Sequence, residues 1–509
     1  MAFLDSDVGG VRPNPRAAAA LDGGAVPACD TDDLGERPLL IDLDGCLIKT
    51  DLLYETALAY VTGNPLRILK VAVWLLRGRA YLKRRLAEVA TLDMSLIPVN
   101  EEVATLALEA KRAGRMVYLV TACDDLLATG IAARFAFLDG VVASDGCANL
   151  AGARKAQRVL QMFPGGFDYA GDSAADLHVW KYAAKAIVVG APARVVRSVR
   201  ALGRPTQVLP RPNAVSALVR AMRPHQWSKN ALIFIPALLG GTIGDPDVFV
   251  RCLLAFIATG LVASGVYLLN DLADLAHDRC HWSKRKRPIA SGDLSIRSAA
   301  VAAFGATAAG LALAAWIGTA VLLGLAAYVA VTLAYSLWLK RVPVLDSFIL
   351  AGLFTLRLAI GIAAAEVVAS PWLLVFSMFL FASLSFAKRH TEILRLIGRG
   401  ATAAAGRGYV AADAPLVLGL GLATGTGSIL IMVLYLIFDA FGQSFYGNPN
   451  WLWVLPAVLF LWFGRIWLVG QRGQLHDDPV AFALKDRVSL GLGGALGAGF
   501  AFAWSGVPL

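Results

Sequence analysis

NDLADLAHDRCHWSKRKRPIASG, residues 270–292, closes a long apolar run and sets three aspartates and five basic residues on about two dozen positions. Asp271, Asp274 and Asp278 fall at i, i+3 and i+7, so a helix would carry them on one face, with Asn270 beside them. Three like charges near hydrocarbon repel one another unless a cation sits among them. Mg²⁺ is the expected ion, because it takes carboxylate oxygens and completes its shell with water and substrate phosphates. Lys284, Lys286 and Arg287 then suit phosphate oxygens. Two plainer readings are a solvated helix end and a snorkelling charge belt; ionisable clusters at a membrane are functional by default, which favours the metal site.

The surrounding composition supports a membrane reading. Of 509 residues, 57% are hydrophobic and 17% charged, against about 25% charged in soluble chains. The charge is uneven: residues 1–225 read as soluble, whereas from 230 onward apolar blocks alternate with short polar clusters. Nine spans are expected, at 230–244, 249–270, 297–316, 319–338, 345–364, 371–388, 413–439, 450–468 and 488–506, with Pro236 and Gly240 interrupting the first. The loops after spans two, four, six and eight carry the basic clusters: Arg279 and Lys284 to Arg287; Lys340 and Arg341; Lys388, Arg389, Arg395, Arg399 and Arg407; Arg465, Arg472, Lys485 and Arg487. The opposite connections carry no Lys or Arg apart from Arg251, just inside span two. By the positive-inside rule the aspartate-rich face is cytoplasmic, in an inner (plasma) membrane. Basic loops facing an anionic leaflet account for the net charge of +10, so no nucleic-acid partner is implied. Residues 1–35 lack an apolar signal segment and are expected to form a disordered tail. The six cysteines show no ligand spacing and read as reduced.

In the N-terminal half, RPLLIDLDGCLIKTD is an apolar run ending in Asp42-Leu43-Asp44-Gly45, GRMVYLVTACDD a second strand ending at Thr121, and GGFDYAGDSAADLHVW a third ending at Gly171, before Asp172 and Asp176. Lys155 lies at the expected start of a helix. Strands ending in polar loops and alternating with helices predict an α/β doubly wound parallel sheet with its site at the strand C-termini. The apolar-then-basic stretch around Leu66–Arg85 reads as helical cap material packed in a core, or second as a helix on a membrane surface.

Two resemblances follow. The 270–292 segment resembles the first aspartate-rich motif of the UbiA prenyltransferase superfamily over roughly residues 215–509, which implies Mg²⁺ held by Asp271, Asp274 and Asp278 against a diphosphate. Aromatic prenyltransferases of that superfamily carry a second aspartate-rich motif. This chain has instead Tyr335, Lys340 and Arg341 with a single Asp346, then Arg357, together with RPHQWSKN (Arg223, Gln226, Trp227, Lys229, Asn230), FAKRHTEI (Lys388, Arg389, Glu392) and Arg407 to Tyr409. This set looks like the decaprenyl-phosphate phosphoribosyltransferase branch, which implies phosphoribosyl pyrophosphate as donor and a polyprenyl phosphate as acceptor. Lys229, Lys284, Arg287, Lys340, Lys388 and Arg389 become phosphate candidates, Arg223, Asn270, Tyr335 and Arg357 further substrate contacts, and Asp346 a ligand for ribose or a second metal.

The order DxDG, Thr, Lys, GDxxxD resembles the haloacid dehalogenase-like phosphatases over residues 36–205, with a cap near 52–105 and a linker at 206–216 before a transmembrane domain at 217–509. That resemblance implies Asp42 as nucleophile and Asp44 as general acid/base, both at the Mg²⁺ site with Asp172 and Asp176; Thr121 and Lys155 would hold phosphate. Cys46 stands where that family often has Thr. The function implied is phosphoribosyl transfer to the lipid followed by removal of the 5-phosphate. The alternatives are prenyl transfer from a prenyl diphosphate to an aromatic or quinone acceptor, or a non-catalytic membrane scaffold or transporter. A homo-oligomer is left open.

Overall fold

The structure, a computed structural model, describes residues 37–145, 149–398, 400, 408–475, 482–483 and 485–508. The tail expected at 1–35, Cys29, Cys147, Arg399 and Arg407 lie outside them. The chain forms two compact units: Met1–Met222 with Leu268–Ala302, and Arg223–Tyr267 with Ala303–Leu509.

The first unit is built on six parallel strands, β1 (Leu39–Ile41), β2 (Val117–Asp124), β3 (Gly140–Ser144), β4 (Asp168–Gly171), β5 (Lys185–Val189) and β6 (Thr206–Leu209), in the order β3-β2-β1-β4-β5-β6. This is the doubly wound topology that alternating strands and helices predict. Helices cover both faces, so strands are buried on both sides: Leu39 and Ile41 enter one core with Val117, Leu119 and Ile187, while Leu40 enters the other with Val120, Tyr169 and Val188. Between β1 and β2 come α1 (Leu52–Gly63), α2 (Arg67–Leu76), α3 (Arg79–Val89) and α4 (Glu101–Arg112); α5 (Asp125–Ala132), α6 (Ala153–Met162), α7 (Leu177–Trp180) and α8 (Ala193–Arg200) complete the layers. The proline-rich stretch expected as a linker is partly structure. Thr206–Leu209 pairs with Ala186–Val189 as an edge strand, where flanking prolines cost no ladder bond, and α9 (Ala214–Met222) follows.

Eight helices among the described residues are long and apolar enough to cross a bilayer. They are α11 (Pro246–Ala273), α13 (Ile296–Ile317), α14 (Thr319–Leu337), α15 (Leu345–Ala365), α16 (Pro371–Gly398), α17 (Ala414–Tyr435, in the span Ala411–Ala440), α18 (Val454–Gln471, in Pro449–Gln471) and α19 (Arg487–Ser505). The first of the nine expected spans differs. Pro224–Phe234 winds as a 3₁₀ helix and only Ile235–Leu239 (α10) is α-helical, with proline in the first turn of each. At about 2 Å per residue for eleven residues and about 1.5 Å for five, this segment has a contour of roughly 30 Å, the thickness of the hydrocarbon core. It packs backbone against backbone on α15: a Cβ on Gly361 would lie 2.2 Å from the Ile233 carbonyl oxygen. Helix α16 runs ten residues past its expected end, so Lys388, Arg389 and Arg395 ride on a helix rather than a loop. The isolated Arg251 pairs with Glu366 at 2.9 Å.

Candidate active sites

β1 and β4 are neighbours at the point where strand order reverses, with Ile41 opposite Ala170. The residues leaving each strand, Asp42 and Asp172, therefore emerge side by side at the crevice where doubly wound folds hold ligands. The turn after β1 closes through Gly45 at φ +74°, and a Cβ there would lie 2.1 Å from Asp172 Oδ2. Glycine is required on both counts.

Lys155 reaches this crevice from α6, its Nζ 2.9 Å from Asp42 Oδ2 and 3.4 Å from Asp176 Oδ1. Lys155 also donates to Tyr169 Oη at 3.0 Å, and that hydroxyl donates to Asp176 Oδ1 at 2.7 Å. Asp176 Oδ2 accepts from the N–H and the hydroxyl of Ser173. Burial, more than any neighbour, raises the Asp42 carboxyl to about 6, against the pull of Lys155. Burial and then the Asp42 charge raise Asp172 to about 8. Asp44 is raised well above the carboxylate range by burial and then by Asp51, and its Oδ1 accepts from the Leu52 N–H at 2.9 Å. Burial opposes the charge of Lys155, but Asp42 and Asp176 outweigh it and hold the ammonium above its ordinary value. Burial also works against Asp176, yet Lys155, Tyr169 and Ser173 keep it below the usual range.

Asp42, Asp172 and Asp176 each offer a carboxylate oxygen, all within 4.8 Å of one another. Once all three are ionised, the carboxylates against one lysine leave two negative charges, the complement of a divalent cation, and the all-oxygen donor set suits Mg²⁺. Asp44, expected at the metal as well, is outside this group because its side chain is turned to the Leu52 N–H. The second strand does not end at Thr121 as expected: β2 runs on to Asp124 through an irregularity after Val120, and Thr121, fully buried within it, accepts from the Cys123 N–H at 3.0 Å. Two contributors escaped the sequence reading. Tyr169 looks like a core residue of an apolar strand, and Lys83, seen only as part of a basic run, donates to the Ala122 carbonyl and lowers the Asp44 carboxyl.

The aspartate-rich segment belongs to the same compact unit. Helix α11 ends at Ala273; the chain breaks at Asp274 and resumes as α12 (Leu275–Cys280), with backbone bonds Asp274 N–H to Asn270 and Asp278 N–H to Asp274 keeping the helical register. Asp271 and Asp278 are buried, and Arg287 Nη1 bridges them at 3.0 and 2.6 Å. Asp278 Oδ1 is buried and accepts no hydrogen bond; Lys284 Nζ lies 3.7 Å away. An orphaned buried carboxylate oxygen fits a cation ligand. Asp274 and Asn270 are half-buried. The three aspartates do not close as tightly as Asp42, Asp172 and Asp176, because Arg287 stands between two of them and the helix breaks at the third. Arg279 has turned away from this group, making a bidentate pair with Glu55 of α1 at 2.6 and 3.0 Å; Thr50 donates to the same carboxylate at 2.7 Å.

In the second unit, Asp346 is fully buried at the start of α15. Its Oδ2 accepts from Arg389 Nε and its Oδ1 from the Tyr409 hydroxyl, both at 2.6 Å. Arg389 further donates to Glu392 at 2.7 Å and to Tyr335 Oη at 3.2 Å. The carboxylate expected to meet ribose or metal is thus engaged by protein donors, and the guanidinium expected on phosphate is buried with it. Arg357 is likewise held internally, by Asn230 Oδ1 at 3.0 Å, the Leu353 carbonyl at 2.7 Å and Tyr328 Oη at 2.9 Å. Lys229 Nζ lies 5.7 Å from the Phe354 ring centroid, and Arg223, at φ 54°, lies over Tyr267. Lys340 sits on the one-turn 3₁₀ helix Leu339–Arg341, and Lys388 is half-buried on α16. Cys46, Cys123, Cys252 and Cys280 are free thiols.

A doubly wound α/β unit is therefore joined to a helical unit of membrane spans, with a cation-bridged aspartate pair where the first long span ends. The model of the UbiA prenyltransferase family matches residues 232–485. The chain is 32% identical to the decaprenyl-phosphate phosphoribosyltransferase of Mycobacterium tuberculosis, over 55% of this chain and 91% of that protein. It belongs to the UbiA prenyltransferase family, as an enzyme with several membrane-spanning helices. It is also 40% identical to the uncharacterized protein y4nM of Sinorhizobium fredii, over 92% of this chain and 91% of that one. With the nodulation protein NoeC of Azorhizobium caulinodans it shares 35% identity over 53% of this chain and 87% of that protein.

Proposed function

We propose that the chain transfers 5-phosphoribose from phosphoribosyl pyrophosphate to a polyprenyl phosphate and then removes the 5-phosphate from the lipid-linked product. One observation carries the reading: two carboxylate clusters, Asp42/Asp172/Asp176 with Lys155 and Asp271/Asp278 with Arg287, belong to a single compact unit. Mg²⁺, when bound, neutralises charge on departing pyrophosphate and on phosphoryl oxygens. Asp271 and Asp278, with Asp274, would hold one ion, and Asp42, Asp172 and Asp176 the other.

In the transfer, a lipid phosphate oxygen bonds to the anomeric carbon as its bond to pyrophosphate breaks. The nucleophile is already ionised, so no general base is needed. Arg287, released from its two aspartates, and Lys284 turn their donors to the pyrophosphate. In the second unit Arg223, Lys229, Lys340 and Lys388 are assigned to substrate phosphates, while Asp346, Arg389 and Arg357 position the helices that carry them. The positive-inside rule puts the 270–292 segment in the cytoplasm. In the hydrolysis, Asp42 bonds to phosphorus while the ester bond to the ribose 5-oxygen breaks. Asp44, kept protonated by burial, gives that oxygen its proton. The Asp44 carboxylate then takes a proton from water, whose oxygen displaces Asp42 and frees phosphate. Lys155 stays charged throughout and faces the phosphoryl oxygens.

The test uses purified full-length protein in detergent with Mg²⁺, labelled phosphoribosyl pyrophosphate and a polyprenyl phosphate. Label is expected in the lipid phase with wild type and Asp42→Asn but not with Asp271→Asn, and the 5-phosphate is expected to persist only with Asp42→Asn. Folded protein that labels no lipid, yet transfers a prenyl group from a prenyl diphosphate, would replace this donor.

A further inference from the structure

Helix α2, RILKVAVWLL, has no buried residue. Its apolar side chains point the wrong way for a core: Leu66, just before it, with Leu69, Val73 and Leu76, are 73%, 66%, 51% and 88% exposed. These positions recur at i, i+3, i+7 and i+10, so they form one stripe along the helix. Contact with the protein runs through half-buried Val71 and Trp74, the Trp74 ring 5.4 Å from that of Tyr60, while Ile68 and Leu75 beside Val71 are 55% and 51% exposed and widen the apolar surface. The helix is therefore anchored through a narrow strip and leaves most of its apolar surface outside. Core packing, the first reading of this stretch, does not hold.

The charge around the stripe is one-sided. Residues 56–87 contain seven Lys and Arg and no Asp or Glu. Arg67 and Lys70 flank the stripe, and Arg77 and Arg79 follow it across the turn at Gly78, φ +110°. The Arg67 and Arg77 guanidiniums lie over the rings of Tyr60 and Tyr81, 4.9 and 5.5 Å from their centroids, which holds positive charge against the aromatic faces. A protein partner would have to supply both an apolar groove and a dense acidic rim. An anionic leaflet supplies both at once, acyl chains beneath and phosphates above.

We propose that α2 is an interfacial membrane helix, which seats its apolar stripe in the headgroup–acyl boundary of an anionic leaflet with the basic residues at the phosphates. It inserts by one face and spans nothing. The chain is already a membrane protein through its long helices, so a weak single helix suffices: the leaflet is present at high effective concentration.

The experiment places a nitroxide at Leu69→Cys and at Leu76→Cys in full-length protein whose Cys29, Cys147 and Cys280 are replaced by serine, with Glu109→Cys, on the exposed side of α4, as control. The protein is reconstituted in nanodiscs of phosphatidylcholine with phosphatidylglycerol, and collision rates with oxygen and with a water-soluble nickel chelate are measured. The expected oxygen-to-nickel ratio is at least ~5-fold higher at 69 and 76 than at 109, as for side chains about 5–10 Å below the headgroups. In pure phosphatidylcholine that difference is expected to shrink. Ratios at 69 and 76 equal to that at 109 would overturn the proposal. So would low collision rates with both reagents accompanied by label-to-label dipolar broadening, because a second copy would then cover the stripe.

Discussion

Asp346 and Asp278 are both buried aspartates beside an arginine, and their surroundings give them opposite characters. Asp346 is enclosed: Arg389, Tyr409 and Ser347 occupy its two oxygens, and the Arg389 side chain is 2% exposed. Asp278 is half-engaged: Arg287 holds Oδ2 from a side chain 30% exposed, and Oδ1 has no hydrogen bond. The first pair is a brace between α15 and α16, whose removal leaves a charge stranded. The second keeps an acceptor in reserve and pairs with a cation that can leave, which is what a ligand needs.

The comparison breaks most sharply if the two aspartates are neutralised. Asp278→Asn is expected to lower lipid labelling about 10²–10³-fold with the melting temperature in detergent unchanged or higher. Asp346→Asn is expected to cost about 3–5 kcal/mol of stability, as for one partner of a buried pair; equal melting shifts for the two would erase the distinction. In the α/β crevice, Gly45→Ala would push Asp172 aside, and phosphate release should fall on the order of 10²-fold while lipid labelling persists. Arg287→Lys keeps the charge but loses the fork that bridges two carboxylates, so a rise in KM for the pyrophosphate donor of about 10-fold is expected, with stability unmoved. The smallest effect concerns pH. Asp42 and Asp172 sit at about 6 and about 8, raised chiefly by burial, so a metal entering among them must displace protons. Apparent Mg²⁺ affinity of the N-terminal site, read from phosphate release against Mg²⁺ concentration, should rise from pH 6 to pH 8. A flat profile would mean these carboxylates are already ionised.

Legibility in the sequence followed distance along the chain. The strand-then-acid pattern at Asp42 and Asp172 is local, and parallel β-α alternation then obliges the two to meet. The long spans were legible from their apolar runs, and Pro236 and Gly240 already marked the first segment as irregular; its 3₁₀ winding was not readable from hydropathy. What failed to show were partnerships closed by the fold. Asp346 and Arg389 look like a site until Tyr409, 63 residues beyond Asp346, donates to the carboxylate. Tyr169 reads as packing until Lys155 and Asp176 reach its hydroxyl. The outward stripe of α2 has the same composition as a core stripe, and only burial distinguishes them.

The bidentate pair of Glu55 with Arg279 joins positions 224 residues apart, each side chain 6% exposed or less. A gene fragment stopping near residue 205 would fold Glu55 into the interior with its countercharge left behind on another polypeptide, at a cost of about 3–5 kcal/mol. The N-terminal half is thus no portable cassette. To move it onto a different membrane partner, an engineer would have to graft the segment around Arg279 along with it, and a lineage that separated the two genes would first have to replace one of these charges.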